Sequence, residues 1–289
     1  MKRLSLAVCS AAVVVVLIGG CSSSGSGSSA SSADVSTTVT TAAKPAIPAG
    51  ATYVALGSSF AAGSGIPVQT GVCGRSESNY PNLVAADLKL KLVDVSCAGA
   101  TTANVLDTPQ GDTPPQINAV TADTKLVTVT AGGNDIGYSV AAISCGTETV
   151  CTLDSAKLET DLAAAKTSLT SVLTQVKQKA PGATVVLVTY PRVVPEGVCP
   201  ALSFAPEEAA VVRTMGERLE QLFVEVGADT GVVVVDPYAA EGDHTVCAED
   251  PANRWTDGVA ATVGFPYHPN ATGHVAMAKL VSEALAGKS

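Results

Sequence analysis

The stretch Tyr53-Val54-Ala55-Leu56-Gly57-Ser58-Ser59-Phe60 decides the fold class, because its apolar first half stops abruptly in a turn of small residues. A short apolar run bounded by turn residues is typical of a strand that is buried on both faces of a sheet. Ser59 would then lie at the carboxyl end of a strand, where α/β folds bind their ligands. Ser59 is therefore a candidate nucleophile, but such turns are common and the assignment needs partners elsewhere in the chain.

Later parts of the chain repeat this pattern of apolar runs. Three valine-rich runs and one weaker run predict further strands: Leu126–Thr130, Thr184–Thr189, Val232–Val235 and the weaker Leu92–Val95. Four other stretches predict helices: Tyr80–Leu90, Asp154–Ala180, Pro206–Val226 and Asn270–Ala286. Alternation of strands and helices predicts an α/β fold, a three-layer α/β/α sandwich with a central parallel sheet.

The amino terminus has the pattern of an export signal. Met1-Lys2-Arg3 is followed by an apolar stretch from Leu4 to Ile18 and then by Gly19-Gly20-Cys21. This stretch is too short and too one-sided for a settled transmembrane helix, so residues 1–20 are predicted to be a secretory signal. The end of the signal resembles the lipobox of bacterial lipoproteins, which implies that Cys21 is acylated and anchors the protein to the outer face of the membrane. A plain secreted protein is the alternative.

Residues 21–50 are rich in Ser, Thr and Ala and poor in large apolar side chains, which predicts a flexible tether. Thirty flexible residues span roughly 30 Å. Residues 51–289 are long enough for one folded domain. Without the signal the chain has 15 basic and 26 acidic side chains, a net charge of about −11. This charge argues against nucleic acid as a partner and assigns membrane contact to the lipid anchor.

Six cysteines lie in the predicted domain: Cys73, Cys97, Cys145, Cys151, Cys199 and Cys247. An even number in an exported chain predicts three disulfides, although six cysteines allow fifteen pairings. Zinc binding is the competing interpretation. No Cys-x-x-Cys pair is present and the spacings are long, so no metal site is predicted.

Three other segments carry groups that a serine nucleophile needs. The turn Ala131-Gly132-Gly133-Asn134-Asp135 follows a predicted strand, and the Asn134 side chain can donate to a developing negative charge. Gly99 lies in the loop after the weaker strand. His268 precedes the last helix, where it could act as a general base.

In this order, the four segments resemble those of the SGNH, or GDSL-like, hydrolase family. Gly57-Ser58-Ser59-Phe60 is similar to the nucleophile block, Gly99 to the glycine block, Gly132-Gly133-Asn134-Asp135 to the Gly-x-Asn-Asp block and His268-Pro269 to the histidine block. The resemblance implies the family's flavodoxin-like fold, Ser59 as nucleophile and His268 as base. It also implies an oxyanion hole of the Ser59 N–H, the Gly99 N–H and the Asn134 side chain.

The chain departs from this family at two positions. The family usually has aspartate where Ser58 stands, and its triad acid usually lies three residues before the histidine, where this chain has Phe265. Similar actinobacterial esterases use a backbone carbonyl at that place, so the resemblance implies a Ser59–His268 dyad oriented by the Phe265 carbonyl, with Asp257 as the fallback acid. It also implies disulfides in sequence order: Cys73–Cys97, Cys145–Cys151 and Cys199–Cys247.

The sequence thus predicts an exported, membrane-tethered, monomeric serine esterase or lipase that cleaves carboxylic esters through an acyl-enzyme, without cofactor. Two alternatives remain open. An O-acetyl esterase acting on cell-envelope glycans would use the same chemistry with a different pocket. A non-catalytic envelope-binding lipoprotein on the same scaffold would explain Ser58 and the missing acid.

Overall fold

A parallel five-stranded sheet forms the centre of the computed structural model, which describes residues 47–147, 151–261 and 264–287. The strands in chain order are β1 (Thr52–Gly57), β2 (Gln69–Thr70), β3 (Arg75–Ser76), β4 (Lys91–Asp94), β5 (Thr124–Thr130), β6 (Thr184–Val188) and β7 (Val233–Val235). Strands β2 and β3 form a separate antiparallel hairpin, and the other five are ordered β4-β1-β5-β6-β7. The predicted central parallel sheet is confirmed, and all five predicted strands belong to it.

Helices flank this sheet and connect its strands. They are α1 (Ser59–Ala62), α2 (Tyr80–Leu88), α3 (Thr102–Leu106), α4 (Tyr138–Thr147), α5 (Ser155–Lys179), α6 (Pro206–Thr230), α7 (Pro237–Ala240) and α8 (Ala271–Leu285). The four predicted helices correspond to α2, α5, α6 and α8. The sequence analysis missed α1, α3, α4 and α7.

The sheet separates two apolar layers, because successive side chains of a strand point to opposite faces. On β1, Val54 and Leu56 pack in the same core as buried side chains of α5 and α6. Tyr53 and Ala55 pack instead with buried side chains of α2 and α8. Helices on both faces give the predicted three-layer α/β/α sandwich.

Three disulfides lie within this domain. They are Cys73–Cys97, Cys145–Cys151 and Cys199–Cys247, the pairing that the resemblance implies. Disulfides of this number fit an exported protein. The predicted signal and most of the predicted tether, with Cys21, lie outside the described residues. Among the helices that are described, none has the length and apolar character needed to cross a membrane.

The carboxyl ends of the parallel strands place the candidate site. Gly57, the last residue of β1, is paired with Thr130, the last residue of β5. The loops that carry Ser59, Gly99 and Asn134 leave the sheet at this same edge, after β1, β4 and β5. The fold therefore gathers three of the predicted site residues at one edge of the sheet.

Candidate active site

The turn that presents Ser59 depends on the absence of a side chain at Gly57. A Cβ atom there would lie 2.5 Å from the carbonyl oxygen of Thr130, far inside van der Waals contact. This close approach lets the Ser58 N–H donate to the same oxygen over 2.9 Å. Ser59 then begins α1 directly, and the N–H of a first helical residue has no acceptor within its own helix. The Ser59 N–H has no acceptor in the described part of the chain, which leaves it available to a ligand.

Ser59 and His268 are in direct contact. The Ser59 Oγ lies 2.9 Å from Nε2 of His268, although the two residues are 209 positions apart in the chain. Both residues are buried. The Nδ1 atom of the ring lies 2.9 Å from the carbonyl oxygen of Pro266, which can only accept, so Nδ1 carries the proton. Nε2 is then left as an acceptor for the Ser59 hydroxyl, the arrangement that general-base catalysis requires.

The expected Phe265 carbonyl does not hold the histidine, and this prediction was wrong by one residue. The chain turns between Pro266 and His268 because Tyr267 has a φ of +57°, in the left-handed region that side chains other than glycine rarely adopt. The Tyr267 ring is held by stacking on Phe204 with centroids 5.1 Å apart and by its hydroxyl, which donates to the Leu202 carbonyl over 2.6 Å. This turn directs the Pro266 carbonyl at the imidazole. The Phe265 side chain is about half exposed beside His268.

Asp257, the fallback acid, is bonded elsewhere. Its Oδ1 accepts a hydrogen bond from the side chain of Asn270 over 3.0 Å, at the start of α8. Its backbone N–H donates to the His268 carbonyl over 3.1 Å. Asp257 therefore supports the loop that carries the histidine, while the Pro266 carbonyl occupies the place of the triad acid.

Burial sets the charge state of His268. Removal from water lowers the pKa of His268 to about 4, and the hydrogen bond to the Pro266 carbonyl opposes this shift only in part. The imidazole is therefore neutral at neutral pH. A neutral imidazole is the form that can accept the serine proton.

The loops that carry Gly99 and Asn134 are tied to each other. The Asn134 side-chain amide donates to the Ala100 carbonyl over 2.9 Å, and the Asp135 carboxylate accepts from the Thr102 N–H and hydroxyl. Gly99 has a φ of +78°, which favours glycine. Its neighbour Ala98 donates its N–H to the Cys73 carbonyl and Ala100 donates to the Cys97 carbonyl, whereas the Gly99 N–H has no acceptor in the described part of the chain.

Three donors of the predicted site have hydrogens left over in the described residues. No acceptor is found there for the N–H groups of Ser59 and Gly99, and the Asn134 amide has a second hydrogen beyond the one given to Ala100. The bond from the Cys97 N–H to the Gly57 carbonyl, 3.0 Å, joins the Gly99 loop to the nucleophile turn, and the Cys73–Cys97 disulfide joins the same loop to the β2–β3 hairpin. Such fixed donors are what a tetrahedral intermediate of acyl transfer needs.

Candidate metal ligands are not grouped. Within the three described ranges, no three His, Cys, Asp or Glu side chains are placed so that they could hold a metal ion. His274, the nearest histidine in the sequence, is buried and accepts the Tyr80 N–H on Nδ1 over 3.1 Å. The groups around Ser59 are hydroxyl, imidazole and amide, which are the groups of serine acyl transfer.

Two residues of the site were missed by the sequence analysis. Gln116 clamps Gly57, accepting its N–H over 2.7 Å and donating to its carbonyl over 2.9 Å. The Tyr190 hydroxyl lies 3.0 Å from Ser58 Oγ. Tyr190 directly follows a predicted strand, at the carboxyl edge of the sheet, and this position was the available signal. Gln116 begins a short 3-10 helix, Gln116–Ala119, for which the sequence carries no such signal.

Comparison with known sequences assigns most of the chain. The sequence profile of the GDSL-like Lipase/Acylhydrolase family matches residues 55–276. Lipase 2 of Streptomyces coelicolor is 33% identical over 270 residues, which cover 86% of this chain and 91% of that protein. A lipase of Streptomyces rimosus is 29% identical over 228 residues, with 76% and 81% covered.

Solved structures give the same result for the fold. The extracellular lipase of Streptomyces rimosus superposes with a TM-score of 0.67 at 26% identity, over 81% of this chain and 99% of that one. Phospholipase A1 of Streptomyces albidoflavus superposes with a TM-score of 0.66 at 29% identity, over 83% and 100%.

Proposed function

Because the chain belongs to the GDSL-like lipase/acylhydrolase family and is a carboxylic ester hydrolase, we propose that it cleaves esters through an acyl-enzyme on Ser59. The observation that carries this proposal is the 2.9 Å contact of Ser59 Oγ with His268 Nε2. In the first half-reaction Nε2 takes the hydroxyl proton as Oγ attacks the ester carbonyl, and then gives that proton to the leaving alcohol. In the second half-reaction Nε2 takes a proton from the water that attacks the acyl-serine, and returns it to Ser59 Oγ as the bond to the acyl group breaks and the acid is released.

A neutral carbonyl does the orienting in this mechanism. The Pro266 oxygen fixes the tautomer of His268 through Nδ1, which is the positioning part of a triad acid's role. It brings no full negative charge to stabilise the imidazolium. Stabilisation of the transition state therefore falls mainly on the N–H groups of Ser59 and Gly99 and on the Asn134 amide.

A lipid or other apolar ester is the substrate class that we favour over an acetylated sugar. The half-exposed Phe265 ring lies with its centroid 5.8 Å from that of His268 and offers an apolar surface at the site. The four similar proteins compared above are named lipases and a phospholipase A1. All groups of the proposed site belong to one chain, so a monomer would suffice.

Fluorophosphonate labelling of the purified domain, residues 47–289, tests the proposal together with a substrate series. The series contains p-nitrophenyl acetate, butyrate and octanoate and an acetylated oligosaccharide. Labelling with turnover of the longer esters supports the lipid esterase. Turnover of acetyl groups alone would favour the glycan O-acetyl esterase. A protein that is neither labelled nor active on any of these esters would instead be the envelope-binding lipoprotein.

The pH profile should carry the signature of the buried histidine. Only neutral His268 accepts the proton, and its pKa is lowered to about 4, so kcat/KM should fall only as pH drops through about 4. An unshifted histidine would give this fall near pH 6.5. Initial rates with p-nitrophenyl butyrate from about pH 3.5 to 8 measure it.

The folded state also loses stability as pH falls from 6.5 to about 4, because there the unfolded histidine binds a proton and the folded one does not. Circular dichroism at each pH is therefore the control, and a fall near pH 6.5 in folded protein would contradict the assignment.

Membrane attachment is a separate proposal about residues 1–50, which we divide into a signal up to residue 20 and a tether from Cys21. Cys21→Ser should move the protein from the membrane pellet to the soluble fraction after ultracentrifugation of expressing cells. The same distribution for both forms would contradict the lipid anchor. Both forms in the soluble fraction would indicate a plain secreted protein, and both in the pellet would indicate a protein that is bound by other means.

A further inference from the structure

Tyr190 connects the turn that carries Ser59 with the turn that carries Asn134. We propose that Tyr190 is a positioning residue for the nucleophile, and that its hydroxyl, together with that of Ser58, replaces the aspartate that the family usually has before its serine. The inference rests on the proposed function, since it concerns the alignment of Ser59 and Asn134. Tyr190 itself touches no reacting atom.

A continuous set of hydrogen bonds runs through this hydroxyl. The Tyr190 oxygen lies 3.2 Å from the Gly133 nitrogen and 3.0 Å from Ser58 Oγ, and Ser58 Oγ lies 3.5 Å from the Thr130 carbonyl. Only one direction gives every proton an acceptor: Gly133 donates to Tyr190, Tyr190 to Ser58 and Ser58 to the Thr130 carbonyl. The chain of bonds thus joins the residue before Asn134 to the residue before Ser59.

The ring of Tyr190 makes the same connection by packing. It stacks on Phe60 with centroids 4.1 Å apart and planes 11° apart, and Phe60 in turn lies 4.7 Å from the His268 ring. A Cβ atom at Gly133 would lie 2.4 Å from a ring carbon of Tyr190, so the ring requires glycine there. Tyr190 thus contacts the elements that carry the nucleophile and Asn134, and it is linked to the ring of the base through Phe60.

The replacement is neutral, unlike the aspartate. Tyr190 is 2% exposed, and burial raises its pKa to about 12, so the hydroxyl keeps its proton at neutral pH. A protonated hydroxyl can accept from Gly133 and donate to Ser58 at once, which an ionised carboxylate cannot do. A buried serine at position 58 needs such a donor, because its own proton is directed at Thr130. A serine at position 58, where the family usually has aspartate, is thus matched by the hydroxyl donor that Tyr190 supplies.

Tyr190→Phe tests the proposal, because it removes the hydroxyl and keeps the ring on Phe60. We expect kcat per labelled active site to fall about tenfold with KM within about twofold, since loss of this bond misaligns groups without changing the substrate surface. Tyr53→Phe is the matched control, since the buried Tyr53 hydroxyl bonds Thr128 over 2.8 Å in the same sheet. It should lower the melting temperature comparably and leave kcat unchanged.

A double-mutant cycle with Ser58→Ala separates a shared function from two independent ones. If the two hydroxyls act as one unit, Ser58→Ala, Tyr190→Phe and the double variant should each lose about tenfold. A loss near a hundredfold in the double variant, or an unchanged kcat in Tyr190→Phe, would overturn the inference. Wild-type protein that is not labelled at Ser59 would instead mean that the proposed function has failed, so the two failures are distinguishable.

Discussion

Replacing Ser59 with alanine should lower kcat/KM by about 10⁴-fold or more and abolish fluorophosphonate labelling. The variant removes the only atom that forms the acyl-enzyme. The remaining oxyanion donors can still bind a carbonyl group, so a small residual rate over water is compatible with the mechanism. Steady-state assays with p-nitrophenyl butyrate measure the loss, and an unchanged melting temperature shows that the fold is intact.

His268→Ala should reach a comparable loss, because an unassisted serine hydroxyl keeps its proton at neutral pH. The double variant Ser59→Ala/His268→Ala should be no worse than either single one, since the two groups act as a unit.

Asp257→Asn is the matched control, as it keeps a side-chain oxygen for Asn270 and removes the charge of the fallback acid. It should stay within about threefold of wild type, because the Pro266 carbonyl holds the ring. A collapse of Asp257→Asn to the level of His268→Ala would mean a hidden triad.

Asn134→Ala should lower kcat by about 10²- to 10³-fold with little change in KM, since it removes a donor that acts on the developing oxyanion. The same amide also donates to the Ala100 carbonyl, so its loss frees the Gly99 loop as well. In a dyad without a carboxylate, the oxyanion donors supply a larger share of the transition-state stabilisation than they would in a triad.

The control for Asn134 is Asn118→Ala, an exposed asparagine on the short helix after Pro115. It should keep wild-type kinetics and stability. The assignment of Asn134 would be contradicted by a loss below about fivefold, or by a loss that is confined to KM and so reports ground-state binding.

The sequence predicts the central sheet and the longer helices because these elements have clear patterns of apolar residues. Valine-rich runs mark the buried strands, and α5 shows apolar residues at helical spacing from Leu158 to Val176, over about five turns. The short helices α1, α3 and α7 have too few residues for periodicity to appear. Helix α4 was missed because it mixes Ser, Gly and Cys with apolar residues and has no marked polar face.

Within the site, motifs predicted the groups that meet the substrate but not the groups that position them. Ser59 and His268 follow from the order of the segments, and the structure brings them into contact. The shift from Phe265 to Pro266 depends on the left-handed conformation of Tyr267, which residues other than glycine rarely adopt. The ring contacts that hold Tyr267 in this conformation are tertiary, so the local sequence does not indicate it. The position of Tyr190 after a predicted strand indicates the edge of the sheet, but its contacts with Ser58 and Gly133 span 132 and 57 positions, and no local pattern indicates those partners.

The central claim, a covalent intermediate on Ser59, is tested most directly by trapping it. Purified protein is mixed with excess p-nitrophenyl octanoate, quenched in acid during turnover and analysed by intact mass and peptide mapping. The mechanism predicts one octanoyl group per chain, carried by the peptide that contains Ser59 and missing from Ser59→Ala. Turnover of the ester with the acyl group on another residue, or with full activity retained in Ser59→Ala, would contradict it.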